Sequence, residues 1–234
     1  MIVFDRYLFA HMPKTGGTWL SAALRDVGRS RFGDGHGPLS AAHPEWCHGK
    51  TMGGTVRDPW SWYASWYHHT LTGGPAQIER VRIIGGGSLE FRDVLRGVTS
   101  PGPHCGKHPG QFWRPAYPEV KPYIDSDAGG LWSWGVRWFY GDGVGGWLAA
   151  VLLDQAQLRD AASDLVATRL DHAPANVRSE RAGQTPMDYR DLYDSDMMGW
   201  VLEADGELAA TLGYVDPFSP SVLGHTIHLE RGTA

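Results

Sequence analysis

Apolar positions run almost without a break over residues 2–10 and then, from Trp19, recur at a helix-like spacing. That switch predicts a strand followed by a helix over 17–29. Residues 30–50 read as a polar connection rich in Gly, Pro and His. A short strand over 50–56 and a helix over 60–71 follow, with the Asp58-Pro59 pair as the punctuation that opens the helix. From 72 to 130 glycine and proline break the pattern, leaving one helical candidate at 89–95. A connection that long inside a compact domain reads as functional, and here as the acceptor-binding part. Residues 147–153 predict a buried strand, 157–169 a helix, and 189–212 a carboxy-terminal helical region ending at Gly213-Tyr214. Strands alternating with helices indicate an α/β fold around a mostly parallel sheet.

Composition narrows what such a fold can do. At 234 residues the chain reads as one medium domain, long enough to bury most of its apolar surface. A net charge of −5, a pI near 6.1 and no Lys/Arg run argue against a nucleic-acid partner, so an anion site has to be a local pocket. No stretch reaches the apolar length of a membrane span, and Asp5 and Arg6 break the first apolar run too early for a signal segment. The expectation is a cytoplasmic protein. Cys47 and Cys105 are too few for a disulfide framework.

The chemistry enters at residues 11–19, His-Met-Pro-Lys-Thr-Gly-Gly-Thr-Trp, between the first strand and the first helix. A glycine turn in that position offers backbone N–H groups and the positive end of a helix to a phosphate. In a Walker A loop the lysine follows the last glycine and precedes Ser or Thr. Here Lys14 precedes Gly16 and Gly17, which disfavours an ordinary ATPase or GTPase.

The order Pro-Lys-Thr-Gly-Gly-Thr-Trp resembles the 5'-phosphosulfate loop of the sulfotransferases that use 3'-phosphoadenosine 5'-phosphosulfate (PAPS), and its leading His-x-Pro form is most similar to the carbohydrate and heparan branch. A second segment, residues 55–69, resembles the family's 3'-phosphate motif, with Arg57 at a strand end and Ser65 eight residues later. The closing segment around residues 176–183, 189–193 and 212–214 resembles that of small bacterial sulfotransferases, in which a basic glycine loop covers the 3'-phosphate. Arg178 and Arg181 would stand there, although the Arg-Lys-Gly form of the cytosolic enzymes is absent.

The resemblance implies a P-loop-like three-layer fold, a single sulfotransferase domain over 1–234 with a central, mostly parallel sheet of about five strands flanked by helices. It implies transfer of a sulfonate from PAPS to a hydroxyl, less readily to an amine, releasing PAP. Lys14 would neutralise charge on the leaving phosphate, while Thr15, Gly16, Gly17 and Thr18 hold the 5'-phosphate. Trp19 would pack on adenine, a role compatible with being the first core residue of its helix. Arg57 and Ser65 would grip the 3'-phosphate, the structural alternative being an ion pair of Arg57 with Asp58 or another carboxylate.

An acceptor hydroxyl has to lose a proton, which calls for a base within hydrogen-bond reach. His36, in His-Gly-Pro-Leu upstream of Arg57, is similar to the catalytic His-x-Pro-Leu of cytosolic sulfotransferases, with His43, Glu45 and His48 as rivals. His43, Cys47 and His48 with His104, Cys105 and His108 could instead supply zinc ligands. Their spacing is irregular, and no metal is expected. Two other classes compete: a kinase with a degenerate P-loop, for which Arg57 and Ser65 have no role, and a non-catalytic PAP- or PAPS-binding protein, against which Lys14 speaks.

Overall fold

The computed structural model describes residues 1–4, 6–26, 30–32, 36–100, 129–143, 145–166, 188–224 and 226–230. The fold is α/β. Its contacts divide it into two compact units, where the sequence reads as one domain. The first holds residues 1–57, 136–186 and 220–234, and the second 58–135 and 187–219.

The first unit is built on a six-stranded sheet. Its strands are β1 (Ile2–Phe4), β2 (Tyr7–His11), β3 (Ser30–Phe32), β4 (Thr51–Val56), β5 (Val151–Asp154) and β6 (Thr226–His228), in the spatial order β3-β1-β2-β4-β5-β6. Only the centre is parallel, β2 beside β4 and β4 beside β5; β1, β3 and β6 pair antiparallel. The expected mostly parallel sheet of about five strands is therefore corrected to a mixed sheet of six. The reason is local: the run over 2–10 is interrupted by Asp5 and Arg6, and so short a connection can join two strands only antiparallel.

Alternation along the strands sorts the layers. Phe9 from β2 and Val151 and Leu153 from β5 pack with Leu20 and Leu24 of α1 (Gly17–Asp26), and with Leu158, Ala161 and Ala162 of a later helix at Leu158–Val166. Each large aliphatic side chain fully buried in this way contributes about 1.5–3 kcal/mol. On the opposite side Gly54 leaves room for Tyr140: a Cβ there would lie 2.1 Å from the phenol ring. Between β3 and β4 stand a 3-10 turn (Leu39–Ala41) and a short helix, α2 (Pro44–Cys47).

The second unit is helical. It contains α3 (Pro59–Leu71), α4 (Pro75–Ile84), α5 (Phe91–Thr99), the first half of α6 (Leu131–Tyr140) and α8 (Ser195–Thr211), the helix at Leu158–Val166 being α7 of the first unit. The predicted helix over 60–71 is α3, and the candidate at 89–95 is α5. Within the region expected to be loop, α4 was missed because it starts from Gly74 in a left-handed turn (φ 93°) and carries no strong apolar stripe. Among the described residues no helix is long and apolar enough to cross a membrane.

The core of this unit is aromatic: Trp62, Tyr63 and Trp132 are fully buried, with Trp62 and Trp66 stacked at 6.2 Å. Asp205, buried on α8, caps α6 from outside that helix. Its Oδ1 accepts the N–H groups of Gly130 (3.1 Å) and Ser133 (3.0 Å), and its Oδ2 accepts the Tyr63 hydroxyl (2.8 Å). Burial holds the Asp205 carboxyl above the usual carboxylate range, against the pull of these donors.

Candidate functional site

The turn between β2 and α1 is held by a buried hydrogen-bond chain. Strands β2 and β4 run side by side with His11 opposite Thr55, which brings the residues after His11 over the end of β4. Thr15, fully buried, donates its hydroxyl to the Met12 carbonyl (2.6 Å) and lies 2.6 Å from the Thr55 hydroxyl. Since the Thr15 proton is committed to Met12, Thr55 donates to Thr15. Tyr140, at the end of α6, donates its hydroxyl to the Thr55 carbonyl and accepts the Met12 N–H (3.0 Å). Burial holds the Tyr140 phenol well above its ordinary pKa, so it remains a donor across the physiological range.

Fixed at Met12 and Thr15, the chain between them turns through a left-handed conformation at Lys14 (φ 71°), and again at Gly16 (φ 86°). A lysine at positive φ costs free energy that a glycine does not, and such residues persist where the surroundings over-determine them. Gly16 is required twice over, by its φ and because a Cβ would lie 2.7 Å from the Leu158 side chain. The first helical residue, Gly17, lets the ring of His11 lie flat against the backbone, since a Cβ there would fall 2.1 Å from that ring. Gly16 has no side chain with which to cap α1, and the helix has no acidic residue in its first turn. The leading N–H groups of α1 thus receive no carboxylate from their own turn.

Of the expected phosphate-holding residues, Gly16, Gly17, exposed Thr18 and half-buried Lys14 stand in this turn. Thr15 stands there too, but its hydroxyl is spent internally and only its N–H remains to offer. Trp19 packs partly against the core cluster, and its remaining surface lines a cavity of about 480 Å³ together with Gly16 and residues 155–160. A core role at this residue thus leaves part of its surface facing the cavity. Asp154, buried at the end of β5, ties down the start of the segment that lines the cavity. It accepts the Gln157 amide (3.3 Å) and the N–H groups of Ala156 (3.4 Å) and Ser221 (3.1 Å).

His36 is brought to the turn. Its Nδ1 lies 3.4 Å from the His11 carbonyl oxygen, and its ring meets the His11 ring edge to face, centroids 4.4 Å apart. Part of the His36 ring is open to solvent, yet desolvation of the rest lowers its pKa. The hydrogen bond to His11 opposes that effect, and the amino-terminal ammonium and Lys14 reinforce it. His11 is shifted further, to about 3, by burial first and then by His36 and the amino terminus. The rival bases make local contacts on the short helix α2: His43 accepts the Glu45 N–H (3.4 Å) and faces its carboxylate at 3.9 Å, both side chains being exposed, as is His48.

Arg57 is half-buried immediately after β4, the last residue of the first unit. The neighbouring Asp58 carboxylate caps α3: its Oδ1 accepts the Ser61 N–H (2.8 Å) and its Oδ2 the Ser61 hydroxyl. Asp58 therefore serves the start of this helix. Ser65 lies buried two turns into α3, in the second unit. Arg178 and Arg181 lie outside the described residues, as do His104, Cys105 and His108. Among the described residues no group of three or more His, Cys, Asp and Glu side chains could hold a metal ion.

Sequence reasoning missed Tyr140, His11 and Asp154. Tyr140 sits at the end of a helix whose first six residues, Leu131 to Val136, are all buried, leaving no polar face there to mark a period. The usable signal was the Gly53-Gly54 pair in a strand, which announces a close approach from both faces. No family model, curated protein or solved structure matches this chain.

Proposed function

We propose that this protein is a PAPS-dependent sulfotransferase with a P-loop-like fold, acting on a hydroxyl acceptor. The observation that carries the reading is the strained turn at Lys14 and Gly16, locked from below by Thr15, Thr55 and Tyr140 and flanked by His36. The residues present fit the nucleotide: an α1 start without a carboxylate of its own for the 5'-phosphate, and a cavity of about 480 Å³ bounded by Trp19 for a flat base.

Bound PAPS supplies a sulfonate joined to a phosphate through an oxygen that can leave. His36 Nε2 takes the proton of the acceptor hydroxyl as the acceptor oxygen bonds to sulfur and the sulfur–oxygen bond to the phosphate breaks. Lys14 and the N–H groups at the start of α1 stabilise the negative charge that collects on the departing phosphate oxygen, a preorganised contribution of about 3 kcal/mol for one well-placed donor. Arg57 answers the 3'-phosphate with a planar fork of donors.

The test is ligand-induced stabilisation. PAP at about 100 times its dissociation constant raises stability by about 2.7 kcal/mol, and ADP, lacking the 3'-phosphate, does so far less. Arg57→Ala should abolish that preference while melting close to the parent protein. Equal shifts with PAP and ADP would remove the 3'-phosphate site and leave a kinase-like nucleotide pocket. PAP binding without turnover on any hydroxyl acceptor would leave a binding protein.

A further inference from the structure

The proton acceptor assigned above is an exposed-loop histidine, and a loop histidine alone has neither a fixed tautomer nor a fixed direction. Two contacts with one residue supply both. The His11 main-chain oxygen faces His36 Nδ1 at 3.4 Å, and a carbonyl can only accept, so Nδ1 carries the proton and Nε2 is left as the basic nitrogen. The His11 ring meets the His36 ring edge to face at 4.4 Å, which limits rotation about that single hydrogen bond.

The His11 ring is itself immobilised. It closes β2, lies against Gly17 where no Cβ intervenes, and has its Nδ1 buried without a hydrogen-bond partner among the described residues. A buried ring nitrogen with no partner gives nothing to folding that a phenyl ring would not. What His11 offers its neighbour is therefore shape, desolvation and a carbonyl at a fixed place. We propose that His11 is the positioning residue for His36: its carbonyl selects the Nδ1–H tautomer and its ring holds the imidazole so that Nε2 is presented beside Lys14.

This inference rests on the sulfotransferase reading for its use, but not for its geometry. The groups that act on His36 are His11 from β2, Lys14 from the turn and the amino terminus ahead of β1. Burial, the amino terminus and Lys14 favour the neutral ring, and the hydrogen bond to the His11 carbonyl opposes them. A base kept neutral by these neighbours is competent through the physiological range.

Nitrogen-resolved NMR of the histidine rings of the full chain tests the assignment without substrate. In the unmodified protein His36 should be the Nδ1–H tautomer and titrate below the ordinary histidine range. His11→Ala should raise its midpoint toward the ordinary value and mix the tautomers, and His11→Phe, which keeps a ring but no titrating nitrogen, should restore the low midpoint. A His36 that is Nε2–H in the unmodified protein overturns the proposal even if the alanine variant does not fold, as does a midpoint that a folded His11→Ala leaves in place. The two readings fail separately. Loss of the PAP preference with the Nδ1–H tautomer intact removes the sulfotransferase and keeps the pairing, whereas an Nε2–H ring in a protein that prefers PAP does the reverse.

Discussion

Neighbouring parallel strands β2 and β4 each deliver the chain into a helix, and they do so in opposite ways. After β4 the turn is ordinary: Asp58 occupies the cap position, Pro59 starts the helix, and the carboxylate fills the donors of the first turn of α3 from within. After β2 the turn passes through two left-handed residues, the only buried hydroxyl in it points away from the helix, and α1 begins on glycines with no acid. One helix start is neutralised by its own sequence. The other has no acid of its own in its first turn and follows a lysine at positive φ.

The contrast breaks most severely at Lys14. Lys14→Ala should lower turnover by about 10²–10³-fold for every acceptor, the scale of losing one preorganised donor. Lys14→Gly should lose as much turnover yet melt later, because glycine adopts φ 71° without the roughly 1 kcal/mol or more that an L side chain incurs. Steady-state rates and melting curves on the pair decide it: full turnover in either variant would make Lys14 a bystander.

Next in size is the support beneath the turn. Thr15→Val leaves the Met12 carbonyl and Thr55 hydroxyl without their buried partner and should destabilise the fold by about 1–3 kcal/mol, while Thr15→Ser stays near the parent. Denaturant titration reads both. A loss in Thr15→Ser with none in Thr15→Val would indicate that the methyl packing, not the hydrogen bonds, holds the turn.

Acid distinguishes the two units. His11 is neutral in the fold down to about 3, whereas its unfolded counterpart takes a proton near 6.5. The stability it permits at neutral pH is therefore lost as pH falls through that window, by at most about 1.4 kcal/mol per pH unit. Asp205, with its carboxyl raised, has the opposite sign: its contribution is present in acid and declines as pH rises above the ordinary carboxylate value near 3.8. Melting temperatures from pH 4 to 8 should show a shallower acid decline in His11→Phe and a steeper one in Asp205→Asn. Parallel curves for all three proteins would refute the buried-neutral assignment.

The smallest effects come from exchanging the two helix starts. Asp58→Ala removes a cap and should cost about 0.5–2 kcal/mol. Thr18→Glu gives the exposed first turn of α1 the acid it lacks and should gain about 0.3–1 kcal/mol while weakening PAP binding. If Thr18→Glu stabilises the fold and PAP binds as before, the α1 start is not where the anion sits.

What could be read from the sequence follows from how locally each feature is encoded. The strand-turn-helix at residues 11–19 and the Asp58-Pro59 start of α3 are written in consecutive residues, and the structure has both. The hairpin inside 2–10, the edge strands β3 and β6 and the helix α6 are not. Strands β1, β3 and β6 are three residues each, too short to display a period, and α6 buries apolar residues on all sides. The supports of the site were hidden for a related reason. Tyr140 reaches Met12 across more than a hundred residues of chain, and nothing near either one announces the other. His36 was reached through a short motif, whereas its partner His11 was already quoted in the loop and given no task.

The interposition of the second unit's first segment between β4 and β5 has a kinetic consequence. The β1–β2 pairing closes between Phe4 and Tyr7, but the β4–β5 pairing must join Gly53 to Val151 across roughly a hundred residues, an entropic charge of about 4 kcal/mol if the intervening chain is loose. Were the helices of the second unit to form first, that intervening chain would be shortened before the strands met. The turn between β2 and α1, which needs Thr55 and Tyr140 from opposite sides of the insertion, would then be among the last elements to set, trailing the formation of helix.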